Sequence, residues 1–109
     1  MLTKPVTFYR YFSNDGNRYG RYLTTDLFSV NSEAIRSLAL KQEWGNKATR
    51  ILKVTLPAGR AIYQGVAAPQ TPSACYPGGA QQTFIEDIKD AKISWVEGPP
   101  LTEELFSCP

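Results

Sequence analysis

The chain has 109 residues, 42% of them apolar and 20% charged, with a formal net charge of +2. This is the size and make-up of one globular domain spanning 1–109, with no room for a second core and no apolar run near the roughly 18 to 20 residues that cross a bilayer. There is no histidine, which excludes a Ser-His-Asp triad, a Cys-His dyad, a His-ligated zinc and a His-based ribonuclease.

Charge is unevenly placed. Residues 1–60 carry ten Lys/Arg against four Asp/Glu, and residues 61–109 carry two against six. The first half is able to offer a basic face to phosphates, or simply a solvated one. Cys75 and Cys108 are too few for a disulfide framework, and their spacing leaves open whether they pair. No basic segment followed by an apolar one opens the chain, so no signal peptide is expected.

In chain order, residues 6–12 are β-branched and aromatic and predict a strand. Asn14-Asp15-Gly16-Asn17 predicts a turn, and residues 19–24 resume an extended pattern. Asn31 or Ser32 is a candidate helix cap with Glu33 in the first turn. Ala34, Ile35, Leu38 and Ala39 share one helical face, and Gly45-Asn46 supplies a stop, so a helix is expected over residues 32–44. Strands follow over residues 50–56, 61–66, 81–86 and 92–96. A Pro/Gly-rich loop covers residues 67–80, and the tail from Gly98 reads as irregular. The expected core includes Phe8, Ile35, Leu38, Leu52, Val54, Ile62, Phe84, Ile93 and Trp95. The class is α+β, two small, mostly antiparallel sheets packed together with one main helix.

Three segments fit a plain core poorly. Arg10 falls on the Val6, Phe8, Phe12 face of its strand, where it needs either a carboxylate such as Glu86 or an anionic ligand. Tyr22 stands beside Thr24 and Thr25 at a strand end, placed to stack on a flat ring or simply to fill a strand position. Pro77-Gly78-Gly79-Ala80-Gln81-Gln82 puts two glycines, which allow close backbone approach, before two glutamines that are poor strand formers but good amide ligands, or is simply a Gly-rich turn into a strand.

These pieces, in this order, resemble the ADP-ribosyltransferase-like fold. Within it they are most similar to the tuberculosis necrotizing toxin family of NAD glycohydrolases, C-terminal domains of large secreted bacterial proteins. The likeness covers about residues 7–86, and Pro77–Gln82 resembles that family's Pro-Gly-Gly-Gly-x-Gln. It implies catalytic roles for Gln82, Tyr22 and Arg10, and substrate contacts from Arg10, Arg36, Thr24, Gly79 and Gln81. It implies NAD+ or NADP+ as substrate, no cofactor and no metal. It further implies a cognate immunity protein, a larger secreted carrier and action in a target-cell cytoplasm. Glu86 follows Gln82 by four residues, whereas the transferase branch places its glutamate two residues on, which favours hydrolysis over ADP-ribose transfer. A mono-ADP-ribosyltransferase, a metal-independent RNase reading nucleic acid with Tyr9, Tyr11, Tyr19 and Tyr22, and a non-enzymatic binding module are the alternatives.

Overall fold

Arg50–Leu56 (β3) carries buried apolar residues on both faces, which suits its place as the central strand of one sheet. Leu52, Val54 and Leu56 point to one side and are fully buried, while Ile51 is buried on the other. The computed structural model describes residues 2–108. Val6–Phe12 (β1) and Ser94–Glu97 (β6) flank β3 in antiparallel register. A second antiparallel sheet has Gln81–Phe84 (β5) between Tyr22–Leu23 (β2) and Tyr63–Val66 (β4). The one α-helix among the described residues is Asn31–Ser37 (α1). No helix among them is long and apolar enough to cross a membrane.

Two cores result. Phe8, Phe12, Leu23, Leu52, Val54, Leu56, Ile85 and Ile93 cluster together and join the two sheets. Each such side chain contributes roughly 1.5–3 kcal/mol by leaving water. Tyr11, Ala34, Ile35, Ile51, Cys75 and Tyr76 form a second cluster in which α1 and the 67–80 loop cover the other face of the first sheet. β1 therefore buries side chains on both faces. It also links the sheets, because Tyr9 and Thr24 exchange backbone hydrogen bonds of 2.7 and 2.9 Å.

The expected helix over 32–44 is cut short. Leu40 N–H donates to the Ile35 carbonyl and Ala39 N–H to that of Arg36, with Ala39 at φ 52°, so the chain closes in a Schellman turn. A separate 3₁₀ turn, Gln42–Trp44, follows, and Gly45 ends it at φ 84°. The expected caps also differ. Val30 holds the cap position, while Asn31 faces the tail, bonding Glu104 N–H, Glu104 C=O and Lys47 C=O at 2.7, 3.0 and 3.2 Å.

The tail from Gly98 is irregular, as expected, apart from one isolated bridge, and it is tied to the domain. Thr102 bridges Val30, and Cys108 is disulfide-bonded to Cys75. The remaining strands are shorter than expected, and Thr24 leaves β2 to make the bridge with Tyr9. Phe84 is not core. Thr83 and Ile85 are the buried residues of that segment, so alternation turns Phe84 to the outer face between Tyr22 and Tyr63. Leu38, Ile62 and Trp95 pack at the margins of the two cores.

Candidate functional site

Where β1 crosses to β2, the two sheets part and leave a cleft of about 470 Å³. A narrow recess of about 40 Å³, enough for a water molecule, adjoins it; Arg10, Tyr22, Leu38, Leu40 and Gln82 line both. The three residues expected to be catalytic thus come from β1, β2 and β5 and meet in one place.

Arg10 does not pair with Glu86. Its terminal nitrogens donate to the carbonyls of Tyr22 (3.1 Å) and Asn17 (3.0 Å), and its buried Nε has no partner. Glu86 instead accepts from Tyr63 Oη at 3.2 Å, and its carbonyl accepts from Arg21 Nε. Burial lowers the Arg10 pKa from the ordinary arginine value, but the group stays cationic. A half-buried cation whose partners are neutral carbonyls keeps a positive charge that no carboxylate offsets, which suits an anionic ligand in the cleft.

Tyr22 is exposed and packs on Phe84 with ring centroids 5.3 Å apart, leaving its other side to the cleft. Gln82 is half-buried, and its carboxamide makes no hydrogen bond to any described residue. Gly65 stands opposite it on β4 and covers nothing. Gln82 therefore presents an uncommitted amide to the recess.

The other expected contacts divide. Thr24 lines the recess, with its hydroxyl accepting from Asp26 N–H at 3.0 Å. Gln81 lies on the opposite face of β5 from Gln82. Its carboxamide is consumed by Thr25 N–H (2.9 Å) and Thr83 Oγ1 (2.5 Å), so it braces the strands. Arg36 lies 5.0 Å above the Phe106 ring and is not part of the cleft wall. Gly79 is also outside that wall; its N–H donates to the Ala67 carbonyl at 2.9 Å. The close approach that the glycine pair permits is to the chain itself. A Cβ on Gly78 would lie 2.3 Å from the Ala67 carbonyl oxygen, and Gly78 and Ala80 N–H groups cover the last carbonyls of α1.

The four tyrosines of the nucleic-acid alternative do not form one face. Tyr11 is buried, its hydroxyl accepting from Phe28 N–H at 2.6 Å and donating to the Asp26 carbonyl at 3.0 Å. Tyr19 packs edge-on against Trp95. The basic first half is also partly neutralised, since Glu97 pairs with both Arg18 and Arg50, and Asp90 with Arg60. No group of three or more Cys, Asp or Glu side chains among the described residues is placed to hold a metal ion.

Sequence reasoning missed the far wall of the cleft, built by Leu38, Ala39, Leu40, Trp44, Asn46 and Gln70. Its one legible signal was a tryptophan directly before Gly45, which also reads as the end of a helix.

The arrangement defines a small α+β domain of two antiparallel sheets with a cleft at their seam. The same fold is found in the solved structure of Tne2 in complex with Tni2, with a TM-score of 0.74 over 94% of this chain and 90% of that one. Sequence identity is 15%, so the likeness is one of fold. No protein-family model and no curated protein sequence matches the chain.

Proposed function

We propose that the domain is a NAD(P)+ glycohydrolase toxin of the ADP-ribosyltransferase-like type. The observation that carries this reading is the meeting, in one cleft, of a cation without a carboxylate partner, an exposed aromatic ring and an uncommitted carboxamide. In the reaction the C1′–N bond to nicotinamide breaks, and its electron pair leaves with the ring and cancels the ring's positive charge. The ribose passes through an oxocarbenium-like state, a water oxygen bonds to C1′, and the water's proton goes to solvent. Products are ADP-ribose, nicotinamide and H+.

Such a reaction needs grip and orientation more than a strong base, because the leaving group departs neutral. Arg10 would hold the diphosphate, Tyr22 would stack on the nicotinamide, and Gln82 would bind a ribose hydroxyl or align the water in the recess. A neutral amide suits positioning and does not suit proton abstraction. Thr24 and the brace made by Gln81 fix the recess wall.

Tne2 is held by a separate protein, Tni2, which supports the reading that this chain also has a cognate inhibitor. We take that inhibitor to be an acidic immunity protein covering the cleft. A secreted carrier and action in a recipient cytoplasm belong to the same reading.

The test is to incubate purified protein with NAD+ and NADP+, alone and with cell extract, and to follow nicotinamide, free ADP-ribose and labelled protein. Release of nicotinamide with an equal amount of free ADP-ribose is expected. Label on protein would mean transfer. Intact dinucleotides would sink the reading.

A further inference from the structure

We propose that the Trp44 end of the cleft is a base subsite, in which the indole stacks on the adenine of the dinucleotide and Gln70 hydrogen-bonds the edge of that ring. The inference rests on the dinucleotide reading of the site and extends it to the half of the substrate remote from the bond that breaks.

Trp44 is 58% exposed, an unusual placement for the larger part of an indole. No aromatic ring packs against it and no cation lies over it among the described residues. The backbone beneath it is nevertheless firmly held. Trp44 N–H donates to the Lys41 carbonyl and Gly45 N–H to that of Gln42, both at 3.0 Å. The Gln42 carboxamide donates to Leu40 (3.1 Å) and Asn46 (2.8 Å) carbonyls on either side of the turn, and Gln42 N–H donates to Tyr76 Oη at 3.0 Å. An apolar ring kept in water on a rigid turn is preorganised to receive a flat partner.

The polar groups around it separate by whether they are used. The Asn46 carboxamide is committed, donating to the Tyr11 carbonyl and accepting from Ala48 N–H. Gln70 lines the same cleft, and its carboxamide bonds no described residue. A free carboxamide offers a donor and an acceptor side by side, the match for the N6/N7 edge of adenine. The cleft thus carries two uncommitted glutamine amides. Gln82 lines both the recess and the cleft with Arg10, whereas Gln70 and Trp44 line the cleft and not the recess. A ligand with a reacting end and a recognition end is what that division suits.

The experiment uses the full chain with Trp95→Phe, which leaves Trp44 as its one tryptophan, and titrates ADP while following indole fluorescence. Quenching that saturates is expected. In parallel, Trp44→Ala, Trp44→Phe and Gln70→Ala are assayed on NAD+ and on nicotinamide mononucleotide, which lacks the adenosine. For Trp44→Ala the KM for NAD+ should rise roughly tenfold or more with kcat within about twofold, the Phe variant recovering most of it. Cleavage of nicotinamide mononucleotide should be unchanged. Unchanged fluorescence with ADP, or equal effects of Trp44→Ala on both substrates, overturns the base subsite while NAD+ cleavage by the parent stands. If the parent cleaves no dinucleotide, the functional reading fails. The ADP titration then decides the subsite alone, with quenching supporting it and no change overturning it.

Discussion

The guanidinium of Arg10 lies against the bare Cα of Gly20: a Cβ built there would stand 2.4 Å from Arg10 Cζ. The glycine is a slot for the arginine rather than a backbone requirement. Gly20→Ala should therefore push the guanidinium out of its cradle and lower NAD+ cleavage by at least tenfold, while the melting temperature moves little because a flexible side chain can yield. Arg10→Lys should be at least as damaging, since one ammonium cannot reach both carbonyls and a ligand. Wild-type turnover in both variants would remove Arg10 from the chemistry.

Gln82 and Gln81 separate function from bracing. Gln82→Ala should lose about 10²- to 10³-fold in rate, as loss of one oriented polar contact commonly does, with an unchanged melt. Gln81→Ala should cost stability instead, about 1 kcal/mol for each of its two hydrogen bonds, with a smaller effect on rate. Rate assays paired with thermal melts on both variants check this. Equal loss of rate and stability in the two would mean that the segment is purely structural.

Cys75 and Cys108 close a loop of 33 residues and clamp the tail over the second core. On the chain-entropy account this cross-link is worth roughly 3–4 kcal/mol. Urea denaturation with and without reductant should show a loss of that order. Cys108→Ser should match the reduced protein, because it removes the bridge while leaving buried Cys75 in place.

The Tyr11 phenol has its pKa pushed up to about 12, chiefly by burial. The unfolded phenol titrates near 10, so between these values the folded chain holds the extra proton. Stability contributed by this group is complete below pH 10 and declines as pH rises toward 12. Urea midpoints at pH 9 and 11 should show the decline. Tyr11→Phe should flatten it, while starting lower because the Phe28 N–H loses its acceptor.

Much of the candidate site was legible because each residue is anomalous in its own segment. Arg10 breaks an apolar face, and Gln82 is a poor strand former at a strand start. Gly79 stood in an equally odd segment and Arg36 was expected at the site from the family resemblance, yet both serve the packing of α1, the 67–80 loop and the tail. Local oddness marks a constraint without saying whether a ligand or the chain itself imposes it.

By itself the sequence determined the two longest strands, residues 6–12 and 50–56, because their runs of β-branched, aromatic and aliphatic residues favour extended backbone whatever packs against them. It also excluded any site built on histidine. Tertiary structure decided the rest. The helix stops at Ser37 because Ala39 turns left-handed and Gly78 and Ala80 bond the last carbonyls of α1, contacts from over forty positions along the chain. The cysteines pair because Asn31 and Thr102 bring the tail home. The cleft exists because β1 belongs to one sheet and bridges to the other, so its lining comes from segments whose meeting no local pattern encodes.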